Sequence, residues 1–137
     1  MIEEPVLLCM RAGHTLATKS EIRPEDLEQQ PIVAVGRQTF PALHEEIAEF
    51  FLGFGLELNV VADAYTPSEA LCLVEQRIGV CFLARSSASL NKDIVTKPLF
   101  TNVLTRKCGI FYREENTHPM IRRFTALITE RITQVRL

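Results

Sequence analysis

Three short segments of the sequence, residues 36–39, 65–68 and 84–87, combine residue types that can hold a ligand, and each follows an apolar, strand-like run. In an open parallel sheet such segments emerge at the carboxyl ends of the strands, where ligands bind. Two of them lead into predicted helix starts, whose unpaired N–H groups favour anions, and an arginine adds charge-assisted hydrogen bonds to a carboxylate or phosphate. We therefore predict a face that binds a small anion, with these candidate residues: Arg37, Gln38, Thr39, Tyr65, Thr66, Ser68, Ala84 and Arg85.

Each of these residues also has a structural explanation when it is taken alone. Thr66 can serve simply as the cap of the helix that follows it, and Arg37 and Arg85 can be solvated surface side chains. The prediction of a binding face therefore depends on the three segments together.

Catalytic machinery is not visible in the sequence. The nucleophile-elbow pattern G-x-S-x-G and the phosphate-binding pattern G-x-x-x-x-G-K-[ST] are both absent. Glu45 and Glu46 could form an acid–base pair, but they fall on the solvent face of a predicted amphipathic helix. We expect a chain that is not an enzyme.

The cysteines and histidines do not predict a metal or cofactor site. The four cysteines form no C-x-x-C pair, and Cys9, Cys81 and Cys108 lie in apolar runs, where an isolated cysteine behaves as a small buried hydrophobe. The three histidines lack the short His/Cys spacings that hold zinc. No metal and no cofactor is expected.

Composition limits the class of protein. The 137 residues are 47% hydrophobic and 23% charged, which is typical of one soluble globular domain or a large piece of one. The net charge of −2 gives no electrostatic reason for this stretch to bind nucleic acid. No apolar run approaches the roughly 20 residues that span a bilayer, and the acidic start at residues 1–5 does not resemble a signal peptide. We expect a cytoplasmic chain that does not associate with membranes.

Hydrophobic periodicity predicts alternating strands and helices. Strands are predicted at 5–10, 31–36, 56–62, 78–84, 94–99 and 106–112, and helices at 22–27, 41–54, 66–77 and 119–133. This alternation indicates an α/β fold with a largely parallel sheet and flanking helices. Charge supports a boundary near residue 100, because residues 1–103 carry 8 basic and 14 acidic groups, whereas residues 104–137 carry 7 and 3.

The order of several short motifs resembles the effector-binding domains of LysR-type transcriptional regulators. Residues 13–17, Gly-His-Thr-Leu-Ala, are similar to the family's G-H-P-L-A signature, and residues 70–84 are similar to its helix ending in V-x-x-G-x-G-I-x-x-x-P. Three positions depart from the pattern: Thr15 and Ala84 stand where proline is usual, and Arg77 stands where glycine is usual. Further matching segments are 22–27, 31–33, 54–55, 98–99 and 108–113.

The resemblance implies a type 2 periplasmic-binding-protein fold, in which two crossover strands join two α/β subdomains around an effector cleft. Residues 1–10 would form one crossover strand, 11–99 one complete effector-binding subdomain, and 100–137 the return crossover and a C-terminal helix of the other subdomain. The family's winged helix-turn-helix is expected to lie outside this chain, so DNA would be bound only through that domain.

The resemblance also implies a homodimer. The helix at 41–54 with the strand after it, and the C-terminal helix, would form its surfaces, with Phe51 and Phe54 as candidates and core burial as their alternative. Segments 106–112 and 119–133 would otherwise expose an apolar surface, which we expect to be covered by folding back or by dimerisation.

The leading functional prediction is the effector-sensing part of a LysR-type regulator, which binds a small anionic metabolite and is not catalytic. A solute-binding protein of a transport system with the same fold is the alternative, and it would require a secretory leader. An enzyme on this fold, such as a dehydratase or transferase, is the third hypothesis.

Overall fold

A computed structural model of the chain describes residues 2–88, 91–101, 103–109, 115 and 117–135. The chain divides into two compact units, Glu3–Lys107 and a second unit made of Met1–Ile2 with Cys108–Leu137. The first unit extends past the boundary that the charge pattern suggested near residue 100. The reason is that Leu104 is buried in its core, and the backbone N–H of Val6 donates to the Leu104 carbonyl at 3.1 Å.

The element order follows the predicted alternation. The strands are β1 (Ile2–Arg11), β2 (Pro31–Val35), β3 (Asn59–Ala64), β4 (Cys81–Ala84), β5 (Ile94–Pro98) and β6 (Thr105–Cys108). The α-helices are α1 (Pro41–Leu52), α2 (Pro67–Glu75) and α3 (Pro119–Val135), and short 3-10 helices cover Thr15–Thr18, Pro24–Leu27 and Arg85–Ser87.

Several boundaries differ from the sequence prediction: β1 covers Ile2–Arg11 instead of 5–10, β4 begins at Cys81 rather than at residue 78, and the helix predicted at 22–27 is a 3-10 helix at Pro24–Leu27. Strand β3 begins at Asn59 rather than at residue 56, because Leu56 and Leu58 pack against the core from an irregular segment. Helix α1 ends at Leu52 rather than at residue 54. Of the strand predicted at 106–112, residues 110–112 lie outside the described part of the chain.

The sheet is mixed, although β3, β2, β4 and β5 run in one direction. Strands β2 and β3 are parallel, and a parallel bridge between Ile32 and Val80 joins β2 to the start of β4. Strand β1 lies antiparallel between β4 and β5, which gives the order β3–β2–β4–β1–β5, and β6 also pairs with β1. Strands β3, β2, β4 and β5 therefore run in one direction, and their carboxyl ends meet at one edge.

Gly79 permits the contact that joins β2 to β4. The N–H of Val80 donates to the Pro31 carbonyl at 2.9 Å, and a Cβ at position 79 would lie 2.5 Å from that same oxygen. Since real Cβ atoms do not approach an oxygen so closely, only glycine allows the two backbones to pair here.

The core lies on both faces of the sheet, because side chains alternate along β1. Val6, Leu8 and Met10 face the side covered by α1, where Ile47 and Phe51 are buried. Cys9 faces the other side, which α2 covers with the residues Ala70, Leu71 and Val74.

Two cysteines are part of this core, as the sequence predicted. Cys9 and Cys81 are direct partners across β1 and β4 and are both buried. A hydrogen bond with Cys9, together with burial, raises the pKa of the Cys81 thiol, which therefore stays uncharged and packs as a small apolar group. Cys72 is exposed, and the Cys108 side chain lies outside the described part of the chain.

Helix α1 confirms the predicted amphipathic face except at its end. Ile47 and Phe51 are buried, but Phe54 lies beyond the helix and is 56% exposed. Gly55 takes a φ of +78°, and the Leu56 N–H then donates back to the Phe51 carbonyl at 3.1 Å. The turn directs Phe54 outward, where its ring meets those of Phe50 and Phe100.

In the described helices, no segment combines the length and the apolar character that crossing a membrane requires.

The backbone conformation of Arg77 gives a testable prediction about stability. It ends α2 in the left-handed conformation, with φ at +65°, at the position where the resembled family usually has glycine. The left-handed region costs a residue with a Cβ roughly 1–2 kcal/mol, which the greater flexibility of unfolded glycine partly offsets. We expect Arg77→Gly to stabilise the chain by about 1 kcal/mol in urea unfolding. Arg77→Ala, which keeps the Cβ, is the control, and equal stability of the two variants would contradict the prediction.

Candidate functional site

The three predicted loop segments meet at the edge formed by the carboxyl ends of β3, β2 and β4, because these strands are parallel and adjacent. The N–H of Gly36 donates to the Ala64 carbonyl at 2.8 Å and ties the first segment to the second. We call this surface, formed by residues 36–39, 65–68 and 84–87, the three-loop edge.

Arg37 is held by an acidic partner at the three-loop edge. Its Nε and Nη2 donate to the two carboxylate oxygens of Asp63 at 2.6 and 2.7 Å. These hydrogen bonds, with the charge of Arg37, keep the pKa of Asp63 below its usual value, and they raise the pKa of Arg37. Arg37 therefore offers a ligand its Nη1 side and a partly compensated charge.

The segment after β2 folds tightly against itself. Gly36 has a φ of +71°, and its carbonyl accepts the N–H groups of Thr39 at 3.2 Å and of Phe40 at 2.6 Å. Gln38 and Thr39 are exposed. No side chain caps α1, which starts with proline at its first turn, so the N–H groups of Ala42 and Leu43 remain available at the helix start.

The segment after β3 is already capped by its own side chains. Thr66 Oγ1 accepts the Glu69 N–H at 3.1 Å, as the sequence predicted. The Glu69 carboxylate accepts the N–H of Tyr65, at 2.9 Å, rather than that of Thr66. Because these N–H groups are already bonded, the start of α2 is a weaker anion site than the start of α1. The Tyr65 ring, which is 58% exposed, and the exposed Ser68 remain accessible to a ligand.

The segment after β4 is tied to two other strands. Glu4 of β1 accepts the Ser86 N–H at 3.1 Å and the Ser86 hydroxyl at 2.7 Å, and Arg106 of β6 donates to the Ser87 hydroxyl at 3.0 Å. Ala84 is only 2% exposed, so it can contribute its backbone but no side-chain contact. Arg85 is exposed and lines a cavity beside the edge.

The sequence prediction omitted two carboxylates that shape the edge, Asp63 and Glu4. Asp63 is a charged residue near the end of the strand-like run that precedes Tyr65, and this is a usable signal, because a carboxylate at the carboxyl end of a strand lies close to the loops that could bind a ligand. Glu4 is 82 residues from Ser86 in sequence, and no local pattern connects the two.

His44 lies behind the Arg37–Asp63 pair on α1. Partial burial and the positive charge of Arg37 lower its pKa, against a smaller opposing effect of Asp63. It is therefore neutral near pH 7. Among the described residues, no group of three His, Cys, Asp or Glu side chains could hold a metal ion.

Comparison with known proteins assigns the chain to a family. Residues 1–133 match the model of the LysR substrate binding domain, and the chain belongs to this family. A similar curated relative is the HTH-type transcriptional regulator AlsR of Bacillus subtilis (strain 168), 30% identical over 121 residues, which are 88% of this chain and 40% of the regulator. The family is one of regulator domains, so the expectation that the chain is not an enzyme is confirmed.

Solved structures confirm the fold class. The BenM effector binding domain with benzoate matches with a TM-score of 0.76 and 16% identity, over 97% of this chain and 61% of that domain. Full-length CbnR complexed with its target DNA matches with a TM-score of 0.77 and 16% identity, over 95% of this chain and 46% of that one. The chain thus spans less than half the length of full-length relatives and has the type 2 periplasmic-binding-protein architecture predicted from its sequence.

The Arg37–Asp63 pair can be tested by titration. In Arg37→Met the Asp63 carboxylate loses both hydrogen bonds and the neighbouring positive charge, so its pKa should rise toward the ordinary aspartate value. Carboxyl-detected NMR titration measures the change. Arg85→Met serves as the control, because Arg85 is not among the groups that shift the Asp63 pKa. An unchanged Asp63 pKa in Arg37→Met would show that the two side chains are not paired in solution.

Proposed function

We propose that the three-loop edge is one wall of an effector cleft, and that the chain senses a small anionic metabolite for a LysR-type regulator. The observation that carries the proposal is the convergence of the three segments on one edge, next to the uncapped start of α1. The BenM effector binding domain, which shares the fold, holds benzoate, a carboxylate, and this supports an anionic ligand here.

The residues at the edge suggest how an anion would be held. The N–H groups at the start of α1 carry partial positive charge, and Arg37 adds a cation that Asp63 already orients. Gln38, Thr39 and Ser68 provide hydrogen bonds, and the Tyr65 ring provides an apolar surface for the body of the ligand. Arg85 adds positive charge from the β4 side.

Regulation would follow from a population shift. A ligand that contacts both walls of a cleft stabilises the arrangement in which the walls are close, by its difference in affinity for the two arrangements. Full-length CbnR has been solved in complex with its target DNA, and this chain matches 46% of that protein. We therefore assign DNA binding to a domain outside this chain. We place the parent regulator in the cytoplasm, where its DNA target lies.

We further propose that the chain dimerises through α1 and β3. Strand β3 lies at the edge of the described sheet and carries Val61, which is 49% exposed. Leu52, the last residue of α1, is 61% exposed. Phe54, two residues beyond the end of α1, is also exposed. Helix α3 also exposes Phe124 and Leu127, at 57% and 60%, and would form a second surface of the assembly.

Ligand binding at the three-loop edge can be tested with a panel of small carboxylates and phosphates. Thermal-shift screening of the 137-residue chain should yield at least one anion that raises the unfolding temperature. Calorimetry should then show Gln38→Ala and Arg37→Met weakening that anion by about fivefold to tenfold, because each removes a hydrogen-bonding group. Lys19→Met is the control, since Lys19 pairs with Asp26 away from the edge. A panel without any binder, or equal affinities in all variants, would refute the proposed site.

The dimer surface can be tested by sedimentation. Leu52→Glu places a charge in the proposed apolar contact and should convert a dimer into a monomer, because an unpaired charge is strongly unfavourable in a buried interface. Lys92→Glu, just before β5 and therefore at the opposite end of the strand order from β3, should leave the association state unchanged. A wild-type chain that is monomeric at high protein concentration would contradict the proposal.

A further inference from the structure

A groove lies between the segment 23–28, the turn at 54–56 and Phe100, and it has a volume of about 390 Å³. This size falls in the range of pockets that hold small organic ligands. All of its lining residues belong to the unit Glu3–Lys107, and none of them is part of the three-loop edge. We call it the aromatic groove.

Phenylalanine rings form one part of the lining of the aromatic groove. The centroids of the Phe54 and Phe100 rings are 5.4 Å apart, and the ring planes meet at 87°. Phe50 supports both rings, since its centroid lies 5.3 Å from that of Phe54 and 5.9 Å from that of Phe100. Perpendicular rings form a corner, and because Phe54 is 56% exposed, this corner is open to a ligand. The face of an aromatic ring is the negative side of its quadrupole, so the corner favours a cation.

Two carboxylates form another part of the lining. Glu25 and Glu28 are three residues apart, in and directly after a 3-10 helix, where side chains at this spacing lie one above the other. Both are exposed and line the groove. In the described part of the chain, neither of these carboxylates forms a hydrogen bond or an ion pair, whereas Asp26 is bonded to Lys19 and to the N–H of Arg23. Glu25 and Glu28 can therefore bind a ligand without breaking a contact of the fold.

The charge around the aromatic groove is negative when the flanking segments are counted. Residues 19–28, 49–57 and 97–101 together hold three basic and six acidic groups. Arg23 is the cation in the lining, and its guanidinium lies 3.0 Å from the Glu21 carboxylate. Each paired group keeps its charge, but the excess of acids leaves a negative potential, which attracts a cation.

We propose that the aromatic groove binds a small organic ammonium ion with an apolar body. The ammonium group would lie between the carboxylates of Glu25 and Glu28, against the corner of the two phenylalanine rings. The apolar body would cover Leu56 and the Phe54 ring, which removes apolar surface from water. An inorganic cation lacks this body and a neutral alcohol lacks the charge, so the groove selects amphipathic cations over both. The inference does not depend on the proposed effector site, which favours anions.

The proposed dimer contact leaves the aromatic groove open. Phe50, which supports the ring corner, and Leu52, which is part of the proposed contact, are two positions apart on α1. This separation places the two side chains about 200° apart around the helix axis. A second copy that covers Leu52 therefore lies on the other side of α1 from the groove.

The test uses hexylammonium as the probe and 1-hexanol as its neutral isostere, in calorimetry with the 137-residue chain. Hexylammonium should bind at millimolar concentrations, and 1-hexanol should bind about tenfold more weakly because it lacks the charge. Glu25→Gln and Glu28→Gln should each weaken hexylammonium about threefold, as expected for an exposed ion pair. Glu45→Gln makes the same chemical change on the solvent side of α1, so it is the matched control and should leave the affinity unchanged.

Two further variants separate the contributions of charge and ring. Arg23→Gln removes the cation from the lining and should strengthen hexylammonium binding about twofold. Phe54→Leu keeps an apolar side chain but removes the ring, so it should weaken hexylammonium and leave the affinity for 1-hexanol nearly unchanged. Equal affinities for hexylammonium in all of these variants would overturn the inference.

The position of the bound probe separates this groove from the proposed effector site. Amide NMR shifts on addition of hexylammonium should concentrate at Glu25, Gly55 and Phe100, and Gln38→Ala should leave its affinity unchanged. Shifts at residues 36–39 instead would overturn the inference. Absence of hexylammonium binding at millimolar concentrations, or equal affinities for hexylammonium and 1-hexanol, would also overturn it.

Discussion

The architecture depends on one close approach of two backbones, at Gly79 and Pro31. A Cβ on residue 79 would meet the Pro31 carbonyl at 2.5 Å, so one of the two backbone hydrogen bonds that join the start of β4 to β2, from the Val80 N–H to that carbonyl, requires a residue without a side chain at position 79. This contact unites the β2–β3 pair with the three strands built around β1. It therefore aligns the carboxyl ends of β3, β2 and β4, which creates the edge where the candidate ligand-binding groups meet.

At that edge, several groups that could bind an anion are already bonded to carboxylates of the chain itself. Asp63 holds Arg37, Glu69 takes the Tyr65 N–H, and Glu4 takes both donors of Ser86. These pairs orient the loops in advance, which lowers the entropy that a ligand must overcome to order them. They also leave the uncapped start of α1 with N–H groups that an anion can still use.

Local interactions explain which predictions succeeded. The cap at Thr66 and the buried face of α1 at Ile47 and Phe51 depend on residues within one or two helical turns, so sequence spacing revealed them. The start of β3 was misplaced because Leu56 and Leu58 are apolar and pack, partly buried, against the core from an irregular segment. An apolar pattern in the sequence indicates burial and does not show whether the backbone pairs as a strand. For the same reason Phe54 was expected to share the helix face, although the turn at Gly55 directs it outward.

The sequence by itself determined the α/β class, the positions of most elements, the family to which the chain belongs and the three segments that meet at the edge. The tertiary structure decided which charges remain free. Arg37 meets Asp63 across 26 residues and Ser86 meets Glu4 across 82, and both pairs exist only because the strand order brings distant segments together. Charge pairing at such separations depends on topology, which hydrophobic periodicity does not encode, so the pairing of Arg37 and the cavity beside Arg85 could be found only in the folded chain.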